Sequence, residues 1–81
     1  LDLNLPKIDG HEVLSRIRQN ESTKLLPVVV LSSSSEQRDL VESYALGANA
    51  FVRKSVDFTE YSEAVTRLGQ FWISANEPPP V

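Results

Sequence analysis

Pro27-Val28-Val29-Val30-Leu31-Ser32 is the stretch from which the fold is read. Three valines and a leucine run together without a polar break, bounded by Pro27 on one side and by serines 32–35 on the other. A short, continuous, β-branched segment between turn residues reads as a strand buried on both faces. Working outward, Ala50-Phe51-Val52-Arg53 reads as a second, shorter strand, and Leu1-Asp2-Leu3 as a strand stub that runs into a Pro6, Asp9, Gly10 turn. The segments between the strands carry helical spacing. Val13, Leu14 and Ile17 mark the first helix, with Arg16 and Arg18 among its solvent-facing positions, and the polar run 19–23 ends it. Ser34 or Ser35 is placed to cap a second helix, whose inner face reads as Leu40, Val41, Tyr44 and Ala45. Gly47 stands where a left-handed residue would stop that helix. A third helix starts near Asp57 or Thr59, with Tyr61, Ala64, Val65, Leu68 and Trp72 along one side. The stretch from Asn76 through Pro78, Pro79 and Pro80 reads as an extended tail.

Strand stub, helix, strand, helix, strand, helix is the order of a parallel α/β sheet with right-handed crossovers. Two strands and a stub make an incomplete sheet. A carboxylate at a strand end so near residue 1 leads us to expect that the chain begins in mid-fold, with residues 1–75 forming part of a domain and 76–81 a tail. The 81 residues are 41% hydrophobic and 23% charged and include no Cys, so the core must hold without disulfides or thiolate metal sites. A net charge of −3 argues against a nucleic-acid surface. The longest apolar run, residues 25–31, is far too short to cross a membrane, and a cytoplasmic location is the expectation.

In open α/β folds, ligands bind at the carboxyl ends of strands. Asp2, Ser32 and Lys54 each stand at such an end, an acid, a hydroxyl and an amine suited to holding a phosphoryl group. Three stretches then carry a family likeness. Asp2-x-x-Leu5-Pro6-x-x-Asp9-Gly10, Pro27-Val28-Val29-Val30-Leu31-Ser32-Ser33-Ser34 and Gly47-Ala48-Asn49-Ala50-Phe51-Val52-Arg53-Lys54 resemble, in register, the receiver domain of two-component response regulators.

The resemblance implies the C-terminal part of a flavodoxin-like doubly wound parallel sheet and a phospho-accepting switch. The switch is not an enzyme in the ordinary sense, since it catalyses its own phosphoryl transfer and hydrolysis. Asp2 matches the phosphoacceptor, and Asn4 the position whose backbone carbonyl helps bind Mg²⁺. Ser32 matches the hydroxyl that contacts the phosphoryl group, Lys54 the lysine that pairs with it, and Phe51 the aromatic switch position, with simple core packing the alternative for Phe51. Two departures stand out. The family places Pro after the lysine, often across a cis bond, whereas this chain has Ser55. A cis bond before a non-proline residue costs about 2.5–4 kcal/mol, so a trans bond, or a strained one held by its neighbours, is expected there. The family's acidic pair, which completes the Mg²⁺ site from an earlier strand, has no counterpart here, and Asp9 and Asp57 are misplaced to substitute. These residues alone are therefore expected to bind Mg²⁺ and take phosphate poorly, and the functional reading belongs to the parent protein.

Phe71-Trp72-Ile73 crowds large apolar side chains at the end of the last helix, pointing in different directions. Phe71 and Trp72 read either as packing beneath the sheet and over the chain end or as an interface that pairs two protomers. A similar Phe-Trp ending, with Leu3-Asn4-Leu5-Pro6 and Lys54-Ser55, resembles single-domain receivers that serve phytochrome-like histidine kinases. The partners this implies are a histidine kinase and a second copy of the chain. The alternative to the phospho-switch is an interaction module that keeps the receiver scaffold and works without phosphorylation. His11 reads as an exposed residue of the first helical turn, with no partner in sight for a metal or proton-transfer role.

Overall fold

The computed structural model describes residues 1–54 and 57–80. Strands β1 (Val29–Ser32) and β2 (Ala50–Arg53) pair in parallel, with Val30 beside Phe51 and Ser32 beside Arg53. The stub joins the other edge of β1 through a parallel bridge between Asp2 and Leu31. Leu31 N–H donates to the Leu1 carbonyl at 2.7 Å, and Leu3 N–H donates to the Leu31 carbonyl at 2.9 Å. Helices α1 (Gly10–Gln19), α2 (Gln37–Ala45) and α3 (Phe58–Gln70) follow the stub, β1 and β2 in turn, and α3 runs on into a π-helical turn, Phe71–Ala75. The alternating parallel architecture expected from the sequence is the one observed.

One face of the sheet is sealed. Val28, Val30 and Ser32 are buried, and α1 lays Leu14 on the two valines, with Ile17, Leu46, Ala48 and Phe51 packed around them. The fully covered Leu14 and Val30 side chains each contribute about 1.5–3 kcal/mol. The reverse face departs from the expectation of a strand buried on both sides. Val29 and Leu31, whose side chains alternate to that face, are only half-buried. The stub's Leu1, α3's Val65, Leu68 and Gly69, and Trp72 of the π-helical turn line a groove of about 220 Å³ over them.

The Asp9 carboxylate starts α1 by accepting from the N–H groups of His11 at 3.0 Å and Glu12 at 3.3 Å. The start of α2 differs from expectation. Glu36 holds its N-cap position without a side-chain capping bond, and the Ser34 hydroxyl instead accepts from Glu36 N–H at 3.1 Å, just ahead of the helix. The inner face of α2 also differs. Val41 is 62% exposed and Tyr44 50%, whereas Ser43 is fully buried. The reason is the close approach of α1, where a small hydroxyl fits and finds a hydrogen-bond partner in His11. Gly47, at φ +104°, stops the helix as expected, its N–H bonding the Tyr44 carbonyl and the following Ala48 N–H the Ser43 carbonyl, each at 3.0 Å.

Arg18 is the larger correction. Rather than facing solvent, its guanidinium folds back over two segments, 24–26 and 47–49. Nε donates to the Gly47 carbonyl at 2.9 Å, Nη1 to the carbonyls of Leu26 at 2.7 Å and Lys24 at 3.1 Å, and Nη2 to Asn49 Oδ1 at 2.8 Å. Asn49 Oδ1 also accepts from Val28 N–H at 2.8 Å, so one cation fastens the entries to both strands. Beyond the π-helical turn the chain is extended, and Pro78 and Pro79 lie across a cleft from Leu25, Leu26 and Pro27.

Candidate functional site

Backbone pairing determines where the site residues fall. The bridge to Leu31 places Asp2 at the carboxyl end of the stub, and Lys54, one residue past β2, donates its N–H to the Ser32 carbonyl at 2.7 Å. Asp2, Ser32 and Lys54 therefore leave three adjacent strands at the same end. From there Lys54 reaches across, its Nζ lying 2.6 Å from Asp2 Oδ2, with the two side chains 28% and 29% exposed. Asn4 N–H donates to Asp2 Oδ1 at 2.8 Å. The Lys54 hydrogen bond first, then the Asn4 amide, hold the Asp2 carboxyl below its ordinary value of 3.8, with the charge of Lys54 adding to them; partial desolvation opposes all of these. The result is an ionised carboxylate with a cation at contact distance.

Ser32 is fully buried, and its hydroxyl accepts from Ser34 N–H at 3.0 Å. Among the described residues no hydrogen bond joins that hydroxyl to Asp2. Asn4 uses its side chain as a tie between loops, Oδ1 accepting from Ser33 N–H at 2.7 Å. Phe51 is half-buried in the core beside Val30. Phe71 is 48% exposed and meets Trp72 edge to face, with ring centroids 5.0 Å apart. Trp72 lies in the groove under the sheet, and its buried Nε1–H has no acceptor among the described residues. The expectation for the Lys54–Ser55 bond falls on Ser55, outside the described residues.

No cluster of three His, Cys, Asp or Glu side chains among the described residues is placed to hold a metal ion. Asp2 supplies one carboxylate, while Asp9 caps α1 and Asp57 caps α3 through Glu60 N–H at 3.1 Å. The described residues do not complete a Mg²⁺ site. No described helix is long and apolar enough to cross a membrane.

His11 corrects the reading of an exposed residue. Its side chain is 16% exposed, with Nε2 3.0 Å from Ser43 Oγ and Nδ1 3.5 Å from Glu42 Oε2. The only hint in the sequence was a polar Ser43 inside an otherwise amphipathic helix.

The profile of the response regulator receiver domain matches residues 1–66. Response regulator Rcp1 of Synechocystis sp. is 44% identical over 73 residues, covering 90% of this chain and 50% of Rcp1. The probable methanogenesis regulatory protein FilR2 of Methanothrix harundinacea is 39% identical over 79 residues, covering 98% of this chain and 51% of FilR2. The crystal structure of the phosphorylated cyanobacterial phytochrome response regulator RcpA superposes with a TM-score of 0.90 at 42% identity, covering 98% of this chain and 56% of that one. The Mn(2+)-bound form of Rcp1 gives 0.88 at 42% identity over 98% and 57%. The chain spans about half the length of these relatives. The resemblance read from the Asp2, Ser32 and Lys54 stretches thus extends through the sequence and the backbone alike, and the chain belongs to the response regulator receiver domain family.

Proposed function

We propose that Asp2 is the phosphoacceptor of a signalling switch and receives its phosphoryl group from a histidine kinase, one of phytochrome type in view of the relatives. The observation that carries this reading is the 2.6 Å contact between Asp2 and Lys54 across the end of β1, at the same end of the sheet. An ionised carboxylate is the form that attacks phosphorus. One Asp2 oxygen forms the new O–P bond as the N–P bond of the kinase's phosphohistidine breaks, and the electron pair of that bond stays on the imidazole nitrogen. Lys54 then has a new partner within reach, and its ammonium follows the added negative charge onto the phosphoryl oxygens. Asn4 N–H keeps its hold on Oδ1 and so fixes the orientation of the carboxyl group.

Ser32 supplies the read-out. Its hydroxyl, now engaged with Ser34 N–H, turns to donate to a phosphoryl oxygen and draws the 33–36 loop with it. Phe51, in the adjoining strand, repacks into the vacated space, and the surface formed by α2, β2 and α3 changes for its partner. The test is kinase-dependent transfer to the full-length protein. Asp2→Asn is expected to abolish labelling while the circular dichroism spectrum is kept, and equal labelling of the variant would overturn the assignment. A second reading, a contact module that works without phosphate, draws on the half-exposed Phe71. It expects Phe71→Ala to weaken partner binding equally with and without acetyl phosphate, whereas the switch expects the phosphate to matter.

A further inference from the structure

We infer that His11 and Ser43 form a latch that holds α2 against α1 and determines how readily the switch leaves its resting state. The inference rests on the phosphoacceptor reading of Asp2 for its role in signalling, but its geometry is independent of that reading. His11 lies in the first turn of α1, two residues after the Asp9 cap, on the helix that follows the segment presenting Asp2 and Asn4. Ser43 lies in the last turn of α2, the helix that follows the Ser32 loop. The 3.0 Å contact between His11 Nε2 and Ser43 Oγ therefore joins the helix after the acceptor to the helix after the hydroxyl.

Three features make this contact count. The Ser43 hydroxyl is fully buried, where loss of a partner is expensive. The rest of α2 is weakly anchored, with Val41 and Tyr44 exposed and no side-chain bond at its N-cap. Beside the latch is a polar cavity of about 260 Å³ whose walls include His11, Asp39, Asn4 and Ser32, which gives the loop between Ser32 and α2 room to move. Glu42 Oε2, 3.5 Å from His11 Nδ1, supports the ring from its other side. When Ser32 turns toward a phosphoryl group, α2 can follow only if the His11–Ser43 bond yields. His11 is thus a positioning residue. Losing one such bond is expected to raise the population with α2 displaced by roughly 2- to 10-fold.

The experiment is hydrogen exchange of the full-length protein, read at the α2 amides, together with the rate of labelling by acetyl phosphate. His11→Ala and Ser43→Ala are each expected to speed α2 exchange and phosphorylation by that factor. The double variant is expected to do no more than either single one, and His11→Gln, whose amide can donate or accept, to restore both. Unchanged α2 exchange in both single variants, or equal acceleration across α1, β1 and α2, overturns the latch. A wild-type protein that takes no phosphate overturns the phosphoacceptor reading and the latch's role in signalling together. Normal phosphorylation with unaltered α2 exchange in the variants overturns the latch alone.

Discussion

Replacing Gly47 by Ala tests whether the Arg18 clamp stabilises the fold. At φ +104° a side chain is strained, at a cost of about 1–2 kcal/mol. The new Cβ would also stand 2.9 Å from Arg18 Nε and 3.1 Å from Arg18 Cγ. The far end of an arginine usually swings aside cheaply. Here it is held by the carbonyls of Gly47, Lys24 and Leu26 and by Asn49 Oδ1. Moving it forfeits at least the Nε bond, and a hydrogen bond from a charged donor is worth about 1.5–3 kcal/mol, here the low end because Arg18 is partly solvated. Gly47→Ala should therefore cost about 3 kcal/mol, a large share of the roughly 5–15 kcal/mol that holds a typical domain. In an Arg18→Ala background only the backbone strain remains, about 1–2 kcal/mol, so the two substitutions should be less than additive by about 1.5 kcal/mol. Urea unfolding of the four proteins of this cycle, in the full-length chain, supplies the numbers. A cost for Gly47→Ala below about 0.5 kcal/mol, or strict additivity, would refute the clamp.

Lys54→Met removes the main cause of the depressed Asp2 titration, so the carboxyl midpoint should rise toward or above 3.8 in a carbon-detected NMR titration. Because the folded value is depressed, this pair's stabilisation is full above the ordinary value and is lost as pH falls through the folded one. The variant's stability should accordingly fall less steeply with acid in that window, and an unshifted midpoint would rule out the ion pair in solution. Gly10→Ala would place a Cβ 2.6 Å from Leu3 Cδ2 and 3.2 Å from Leu3 Cα, which forces the Asp2–Asn4 segment to move. It should cost about 1–3 kcal/mol and shift the Asp2 carboxyl resonance; an unmoved resonance would contradict the close packing. Leu14→Ala empties the centre of the sealed face and should cost about 2–5 kcal/mol in urea unfolding, where a negligible loss would show that the core lies elsewhere.

What could be read from the sequence was whatever local pattern and spacing determine. The apolar run into Ser32, the turn after Leu3 and the left-handed Gly47 locate strand ends, and strand ends bring Asp2 to Lys54. Less was legible where a contact depends on how two helices approach. The inward face of α2 was misread because Val41 and Tyr44 outweigh Ser43 in hydropathy, although α1 leaves room only for the smaller residue. His11 and Arg18 were misread for a related reason. A polar side chain on a helix is solvated by default, and its partners Ser43, Gly47 and Asn49 lie about thirty residues away, where no periodicity points to them. The reverse face of β1 was overestimated because an apolar run reports that a strand is hydrophobic without reporting what covers each side.

The most direct test of the account is to treat the full-length protein with acetyl phosphate and Mg²⁺ and to locate the added phosphate by peptide mass mapping. A single phosphate on the peptide that contains Asp2, absent from Asp2→Asn, is the predicted result. Phosphate on another residue, or none in a folded wild-type protein, would contradict the assignment of the Asp2–Lys54 pair as the phosphoacceptor site.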